Sequence, residues 1–243
     1  MDSQEKLPET VEEALNELSA GYVLDVATGN GGFISYLIEN LKDYTEITGI
    51  DCNQRPLETA EKSHEKANIR FQLMDAARMD FPDDHFDTVC ISNSLHHMAD
   101  LPGVLSEMVR VCKPGGQLIF CEMYRDGQTE TQLTHMYLHH WWAAVDSAEG
   151  ITHFETFTRR QVVEIIERLG LQNMRYYDSK ELDSDPKAPE LVHELDNIID
   201  RFLNRAKVLE SGEDLRLRGE LLRLQVHETG FHGATSLIAI GEK

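Results

Sequence analysis

The sequence lacks the features that would indicate a membrane span, a secretory signal or a zinc-ribbon. It has no run of about 18 apolar residues, the length that a membrane-spanning helix needs. Met1 to Glu13 is acidic and contains no apolar stretch of the kind found in secretory signals. The 4 cysteines form no C-x-x-C pair, so zinc-ribbon and thioredoxin signatures are absent. We therefore expect a cytoplasmic protein with reduced cysteines and no membrane association.

Positive charge is also scarce. The chain has 23 Lys+Arg against 43 Asp+Glu, which gives a formal net charge of −20 at pH 7. Such a field repels polyanions, so the sequence disfavours nucleic acid as a partner. There is no internal repeat and no low-complexity tract, and 243 residues suit one α/β domain with room for an insertion. A small-molecule ligand is the better expectation.

The clearest local pattern is a strand, a glycine turn and a helix near the N-terminus. Val23 to Val26 predicts a short buried strand, and glycines in Gly29-Asn30-Gly31-Gly32 permit a tight turn close to a ligand. Spaced apolar residues from Phe33 to Leu41 then predict an amphipathic helix. In open α/β sheets this arrangement holds a nucleotide-like ligand. A dinucleotide fingerprint needs a small residue where this chain has Ile34, which disfavours a nicotinamide oxidoreductase.

Acidic residues follow the next two predicted strands. Glu46 to Asp51 predicts the second strand, and Asp51 comes about 20 residues after the glycine turn, the spacing at which such folds bind ribose hydroxyls. The alternative role for Asp51 is a helix N-cap, although Asn53 is better placed for that. Ile69 to Met74 predicts the third strand, and Asp75 follows it as either a ligand or an ordinary turn residue. Asp51 is thus the stronger ligand candidate.

Two more strands complete the first half of the chain. Phe86 to Ser92 predicts the fourth strand, which leads into His96 and His97. A helix is expected next, and it ends at Lys113-Pro114-Gly115-Gly116 because proline bars continuation and glycine allows the turn. Gln117 to Met123 predicts the fifth strand. The pattern predicts repeated strand–helix units.

These features together resemble the class I S-adenosylmethionine (SAM)-dependent methyltransferases, in particular the small-molecule, quinone-biosynthesis type. The first motif reads Asp25-x-Ala27-x-Gly29-x-Gly31, with alanine where these families usually carry glycine. The resemblance extends from Val23 to Met123 and includes the Leu-His-His step and the Lys-Pro-Gly-Gly turn. It implies an α/β, Rossmann-like, seven-stranded and mostly parallel sheet whose last strand is antiparallel.

The resemblance also implies which residues contact SAM or its product S-adenosylhomocysteine. Asp25 and the backbone after it would hold the methionine part, Asp51 the ribose, and Asp75 with its neighbour the adenine. Ser92 and the residue after it would lie near the sulfonium. The implied cofactor-binding residues are Asp25, Ala27, Thr28, Gly29, Asn30, Gly31, Asp51, Cys52, Asp75, Ala76, Ser92 and Asn93.

Beyond the fifth strand the resemblance weakens. Thr129 to Val145 predicts a helix dense in large side chains, and Leu171 to Tyr177 predicts the sixth strand. Ala234 to Ile240 predicts the seventh, antiparallel at the far end of the sheet. Between them lies an insertion, Leu182 to Gly230, whose apolar spacing predicts a helical hairpin within a single domain spanning 1–243. The apolar stripe of this hairpin could cover the substrate cleft, form a homodimer interface or extend the core.

Histidines are the candidate bases. His96 follows the fourth strand at the mouth of the expected cleft, where it either reaches substrate or stabilises the loop with His97. His135 and His139 share a helical face with His140 beside them, a spacing that could bind metal, but no Glu lies between them as in H-E-x-x-H. Lining an aromatic substrate pocket explains this helix better. We predict His96 and His139 as catalytic residues and no metal site.

The sequence therefore predicts an enzyme that transfers a methyl group from SAM to a small-molecule acceptor. A base is required only if the acceptor holds a proton, as phenols and alcohols do. Two alternatives stay open. One is a methyltransferase acting on a protein, and the other is a non-catalytic regulatory or partner subunit that binds SAM or S-adenosylhomocysteine.

Overall fold

The computed structural model describes residues 8–66 and 68–243, which form a central sheet with helices on both faces. The strands are β1 (Tyr22–Val26), β2 (Glu46–Asp51), β3 (Ile69–Leu73), β4 (Phe86–Ser92), β5 (Cys112–Met123), β6 (Gln172–Ser179) and β7 (Ser236–Glu242). The α-helices are α1 (Val11–Asn16), α2 (Gly32–Asn40), α3 (Gln54–Ser63), α4 (Leu101–Val111), α5 (Glu130–Ala148), α6 (Arg159–Glu167), α7 (Pro189–Ala206) and α8 (Gly212–Thr229). A short 3-10 helix, η1 (Leu95–His97), follows β4. The first seven residues of the predicted acidic segment lie outside the described ranges.

The seven strands lie in the order β3-β2-β1-β4-β5-β7-β6. β7 is antiparallel to β5 and β6, and the other neighbouring strands are parallel. This confirms the predicted mostly parallel, Rossmann-like sheet with an antiparallel last strand. The predicted place of that strand is wrong, because β7 lies between β5 and β6 and not at the far end. Its apolar residues are buried along almost the whole strand, whereas β6 is partly exposed and forms the edge.

The two faces of the sheet carry separate apolar cores. On one face Val104 of α4 and Val162 of α6 pack with Leu24 of β1. On the other face α1 and α2 pack, with Ile34 completely buried, against Val23 of the same strand. Successive side chains of a strand point to opposite faces, so β1 contributes to both cores. The sheet is therefore covered on both sides, and its ligand-binding surface is left at the ends of the strands.

A third apolar core lies between α5, α7 and α8. Trp141 of α5 is completely buried, and its indole Nε1 donates a hydrogen bond of 2.8 Å to the carbonyl oxygen of Leu215. Gly219 of α8 lies against the same ring, where a Cβ atom would come within 2.3 Å of the indole. α7 and α8 occupy the predicted insertion and pack as a hairpin. In the structure this hairpin packs against α5 and forms the third core with it. Use of its exposed leucines in a homodimer stays a prediction.

Two predicted boundaries differ from the observed ones. The first helix is shorter than the predicted Pro8 to Ala20, because α1 begins after the N-cap residue Thr10 and ends at Asn16. β5 begins at Cys112 and includes the predicted turn, where the backbone N–H of Gly115 donates to the carbonyl oxygen of Lys243.

Within residues 8–66 and 68–243, the helices are all too short or too polar to cross a membrane.

Candidate functional site

The largest cavity among the described residues, with a volume of about 660 Å³, opens at the carboxyl ends of β1, β2, β3 and β4. We call it the larger cavity. Seven of the twelve predicted cofactor-binding residues line it. These are Ala27, Gly29, Asp51, Cys52, Asp75, Ala76 and Asn93. This edge of a parallel sheet is where open α/β folds bind their ligands.

The turn between β1 and α2 brings backbone close to the larger cavity. Ala27 has a φ of 55° and Gly29 a φ of 53°, both in the left-handed region. Glycine adopts this conformation freely, whereas alanine is strained in it. Gly31, the N-cap of α2, has no side chain to satisfy the first N–H groups of the helix. Donors at such a helix start favour an anionic ligand group.

Asp51 joins the turn to the end of β2. Its Oδ2 accepts a hydrogen bond of 3.0 Å from the backbone N–H of Gly29, and its Oδ1 accepts one of 2.8 Å from the N–H of Asn53. Asn53 in turn caps α3, accepting from the N–H of Arg55 at 3.2 Å. Each carboxylate oxygen has a second lone pair, so Asp51 is fixed in place and can still accept from ligand hydroxyls.

Asp75 lies at the opposite wall of the larger cavity, after β3. Its Oδ1 accepts a hydrogen bond of 2.9 Å from the backbone N–H of Ala77, which is an Asx-type turn contact. The side chain is exposed, and Ala76 and Met74 line the cavity beside it. The turn contact uses Oδ1 of the exposed carboxylate. A turn role and a ligand role are therefore compatible at this residue.

Asp25 is placed below the larger cavity and not on its wall. The hydroxyl of Thr28 donates to its Oδ2 at 2.5 Å, and the thiol of Cys90 donates to its Oδ1 at 3.5 Å. Burial of the carboxyl raises the pKa of Asp25 from 3.8 to about 7. Among the described residues, the lining of the larger cavity does not include Asp25, Thr28, Asn30 or Gly31. Asp25 thus acts on the site through the shape of the turn, and direct contact with a ligand stays a prediction.

A second cavity of about 450 Å³, the smaller cavity, shares Asn93 with the larger one. Ser92 lines the smaller cavity, as do Phe33 and Tyr36 of α2 and Lys180 beyond β6. Asn93 has a φ of 45°, and its side-chain oxygen accepts a hydrogen bond of 2.9 Å from the N–H of Met123. A left-handed residue anchored to β5 therefore stands between the two cavities.

The predicted catalytic histidines lie behind the wall of the larger cavity. Among the described residues that line either cavity, His96 and His139 are absent. Both are buried, and their Nε2 atoms lie 3.0 Å apart. The neighbouring His97 does line the larger cavity. Burial and the nearby His96 and His153 lower the pKa of His97 to about 3, so its imidazole is neutral at physiological pH.

The other histidines of α5 have separate partners. His135 accepts a hydrogen bond of 2.9 Å from the N–H of Ala234, and burial lowers its pKa to about 4. His140 is hydrogen bonded to the Thr156 hydroxyl at 2.9 Å. The spacing of His135 and His139 therefore does not bring these two residues to one site. Instead His139 meets His153, a residue that no sequence pattern singled out.

Comparisons with known proteins are consistent with this geometry. Residues 24–120 match the family described as a methyltransferase domain. A phthiotriol/phenolphthiotriol dimycocerosates methyltransferase of Mycobacterium ulcerans is 34% identical over 107 residues, which are 44% of this chain and 39% of the relative. The match thus spans about two fifths of that relative's length.

A second relative is matched over a longer segment. A 2-phytyl-1,4-naphtoquinone methyltransferase of Synechococcus elongatus is 28% identical over 170 residues, 64% of this chain and 73% of the relative. Among solved structures, a Haemonchus contortus phosphoethanolamine N-methyltransferase in complex with SAM superposes with a TM-score of 0.57 at 19% identity. That match covers 95% of this chain and 52% of the other, and it shows the likeness of fold.

Proposed function

We propose that this chain transfers a methyl group from SAM to a small-molecule acceptor, as residues 24–120 match the family described as a methyltransferase domain. The observation that carries the proposal is the larger cavity, whose wall combines the glycine turn, Asp51 and Asp75 at the ends of successive strands. SAM, when bound, supplies a methyl group on a positively charged sulfur that is already a good leaving group.

The wall of the larger cavity has a polar group suited to each part of SAM. The backbone at Ala27 and Gly29 suits the methionine part. The open start of α2, where N–H donors favour a carboxylate, follows this turn and lines the smaller cavity at Gly32. Asp51 is held so that its free lone pairs can accept from both ribose hydroxyls. Asp75 and the backbone of Ala76 suit the adenine. These assignments retain the residues predicted from the sequence, and they remain proposals.

We place the acceptor in the smaller cavity, because Asn93 borders both cavities and gives the two ligands a common wall. The protein's task is then to align an acceptor lone pair behind the methyl group and to exclude water, which supplies much of the rate acceleration. Phe33, Tyr36 and Ile238 give this cavity apolar surface suited to an aromatic or quinone-like molecule. The two relatives named above are methyltransferases of a lipid and of a naphthoquinone.

A base is not obligatory in this arrangement. The predicted bases His96 and His139 lie outside the walls of both cavities as the structure describes them, so they are not placed to take a proton from an acceptor directly. Among the described residues that line the smaller cavity there is no histidine, and His97, which lines the larger cavity, is a weak base because its pKa is lowered to about 3. An acceptor that needs no deprotonation, such as an activated carbon nucleophile, would not require it.

The net charge of −20 supports a small molecule over nucleic acid as the acceptor. A protein acceptor and a non-catalytic SAM-binding subunit are the other candidates. Neither has a specific supporting observation, whereas the smaller cavity offers room for a second ligand beside the first. A homodimer, the cytoplasmic location and the absence of membrane association remain predictions of the sequence.

The experiment that tests the proposal is calorimetric titration of the purified chain with SAM, S-adenosylhomocysteine and NADH. We expect binding of the two adenosyl compounds and none of NADH. Asp51→Ala should weaken SAM binding by about 1.5–3 kcal/mol, because a hydrogen bond to a charged group is lost. Asp183→Ala, an exposed acid outside the cavity, is the matched control and should leave affinity unchanged. Equal affinity of wild type and Asp51→Ala would contradict the ribose assignment.

The acceptor is sought once cofactor binding is established. The chain is incubated with SAM and a set of phenols, quinols, amines and peptides, and products are detected by a mass increase of one methyl group. A methylated small molecule supports the proposal. Tight SAM binding with a methylated peptide, or with no methylated product from any class, would favour one of the two other candidates.

A further inference from the structure

Four histidines from three separate segments meet behind the wall of the larger cavity. His96 and His97 come from η1, His139 from the middle of α5, and His153 from the segment before α6. One ring nitrogen from each lies within 4.8 Å of those of the other three. We call these four residues the histidine cluster. Three of them are buried, and His97 faces the cavity.

Two carboxylates fix how the rings of the histidine cluster are oriented. The Nδ1 of His96 lies 2.5 Å from Oε1 of Glu122, and the Nδ1 of His153 lies 2.6 Å from Oδ2 of Asp146. A carboxylate only accepts hydrogen bonds, so each of these Nδ1 atoms carries a proton. In the neutral ring the other nitrogen, Nε2, then presents a lone pair.

Those two lone pairs point at a single atom. The Nε2 of His139 lies 3.0 Å from the Nε2 of His96 and 3.0 Å from the Nε2 of His153. His139 Nε2 carries at most one proton, so it can satisfy only one of its two neighbours. If one neighbour carries an added proton and donates to a lone pair on His139 Nε2, the lone pair of the other neighbour still faces that atom unmatched. With at most one added proton, hydrogen bonds therefore leave one of the three buried nitrogens unsatisfied.

A metal ion satisfies all of them at once. Neutral imidazole nitrogens are preferred ligands of Zn²⁺ and other late first-row ions. Their other ring nitrogen usually donates to a carboxylate, which orients the ring and raises its basicity. His96 with Glu122 and His153 with Asp146 have this arrangement.

The local charges also favour a cation. Glu122 is completely buried on β5. Among the described residues, its carboxylate accepts hydrogen bonds from His96 and, at 3.0 Å, from the backbone N–H of Leu95. Asp146 is paired with Arg205, and that guanidinium is shared with Glu149. A buried carboxylate is costly unless a positive charge lies nearby. A divalent ion at the centre of the histidine cluster supplies that charge.

We propose that the histidine cluster is a binding site for a divalent transition-metal ion of the zinc type. His96, His139 and His153 bind through Nε2, and His97 is the fourth ligand, on the side of the larger cavity. Zn–N bonds of about 2.0–2.1 Å in a tetrahedron separate the nitrogens by about 3.3–3.4 Å. The 3.0 Å separations therefore need an outward shift of a few tenths of an ångström, and the widest separation among the four nitrogens, 4.8 Å, needs an inward shift of about 1.4 Å. This site does not depend on methyl transfer.

The ion would join the three segments that meet at the histidine cluster. η1 follows a strand of the sheet, whereas α5 belongs to the helical core. The segment carrying His153 is linked to η1 by a hydrogen bond of 2.9 Å, in which the N–H of Phe154 donates to the carbonyl oxygen of His96. Binding to the folded state alone stabilises it. Metal removal should consequently lower the stability of the whole chain and shift the position of His97 in the cavity wall.

The test uses the full chain, stripped with a chelator and then titrated with Zn²⁺ or Co²⁺ while thermal unfolding and bound metal are measured. We expect about one ion per chain, a higher unfolding temperature with metal, and the visible spectrum of four-coordinate Co²⁺. Glu122→Gln keeps all four ligands, folds with nearly the same shape, and should weaken binding about 10–100-fold. His139→Gln removes the central ligand and should abolish stoichiometric binding.

His140→Gln is the matched control, because His140 neighbours His139 on α5 and bonds to Thr156 outside the histidine cluster. It should bind metal as wild type does. The proposal is overturned if the folded wild type binds no metal, or if His139→Gln and Glu122→Gln bind it as tightly as His140→Gln. Because S-adenosylhomocysteine binding is measured separately, failure of the metal site leaves the proposed methyl transfer untouched.

Discussion

The larger cavity and the histidine cluster share His97, yet they are built in opposite ways. The cavity wall consists of backbone and short side chains at the ends of successive strands, so each part is positioned by the residues next to it in sequence. The histidine cluster consists of long side chains from a 3-10 helix, a helix and a loop, and it exists only once these have packed. The geometry of the larger cavity is set by the sheet, whereas the geometry of the histidine cluster is set by how the helical part packs against the sheet.

The same contrast appears in the cores. The sheet cores are formed by alternating strand residues and amphipathic helices, whereas the core of α5, α7 and α8 is centred on one indole that fills the space beside Gly219. Residues 24–120, which match the methyltransferase domain family, cover the glycine turn and most of the sheet but not this helical core. The part that resembles known families holds most of the wall of the larger cavity, and the other part supplies His139 and His153.

The largest expected effect comes from breaking the helical core. Trp141→Ala should lower the free energy of unfolding by about 3–5 kcal/mol, because a completely buried aromatic side chain and its hydrogen bond are lost. Urea unfolding followed by circular dichroism measures this change. Tyr137→Ala on the same helix removes a side chain that is 46% exposed and should cost far less. Equal effects of the two substitutions would show that the indole is not the centre of this core.

The next effect concerns a buried acid beneath the glycine turn. The folded pKa of Asp25 is raised to about 7, so between pH 4 and 7 the folded state holds a proton that the unfolded state has released. The contribution of Asp25 to stability therefore falls as pH rises through this range, by up to about 4 kcal/mol. Thermal unfolding across this range should show wild type losing stability relative to Asp25→Asn.

The control for that experiment is Asp183→Asn, which changes an exposed carboxyl by the same chemistry. Its stability should follow the wild-type pH dependence throughout. A constant difference between wild type and Asp25→Asn at every pH would mean that the Asp25 carboxyl keeps its ordinary pKa despite its burial.

The smallest effect sharpens the account of the glycine turn itself. Ala27 is held at a φ of 55°, where a Cβ atom is unfavourable, so Ala27→Gly should raise the free energy of unfolding by about 0.5–1 kcal/mol. Ala99→Gly, in the loop before α4, relieves no such strain and should lower it slightly. Loss of stability in both variants would show that the left-handed turn is not strained at Ala27.

Much of the fold could be predicted from the sequence because its signals are local. The strand at Val23 to Val26, the glycines after it and the acid of Asp51 each depend on neighbouring residues, and the structure brings them to one cavity edge. The position of β7 could not be predicted, because strand order depends on which edges are left to pair after the other strands have packed. The motif predicts that Asp25 contacts the ligand, because it places this residue at the end of β1. The direction of the Asp25 side chain depends on Thr28 and Cys90.

The histidines show the limit most clearly. A spacing of four residues indicates that His135 and His139 share a helical face, but it does not indicate which other segments approach that face. His139 turns to His96 and His153, while His135 turns to Ala234. Only the packing of α5 against η1 and the segment before α6 distinguishes these two residues, and sequence spacing carries no information about that packing.

The place of β7 in the sheet has a consequence for the order of folding. β6 pairs with β7 within the described residues, and β7 also closes the edge of β5. During synthesis, β6 and the whole of α7 and α8 therefore leave the ribosome before the strand that attaches β6 to the sheet. Until residues 236–242 arrive, β5 presents an apolar, unpaired edge, and such edges pair readily with other chains. The helical hairpin that separates β6 from β7 thus sets the time during which the nascent sheet needs protection from aggregation.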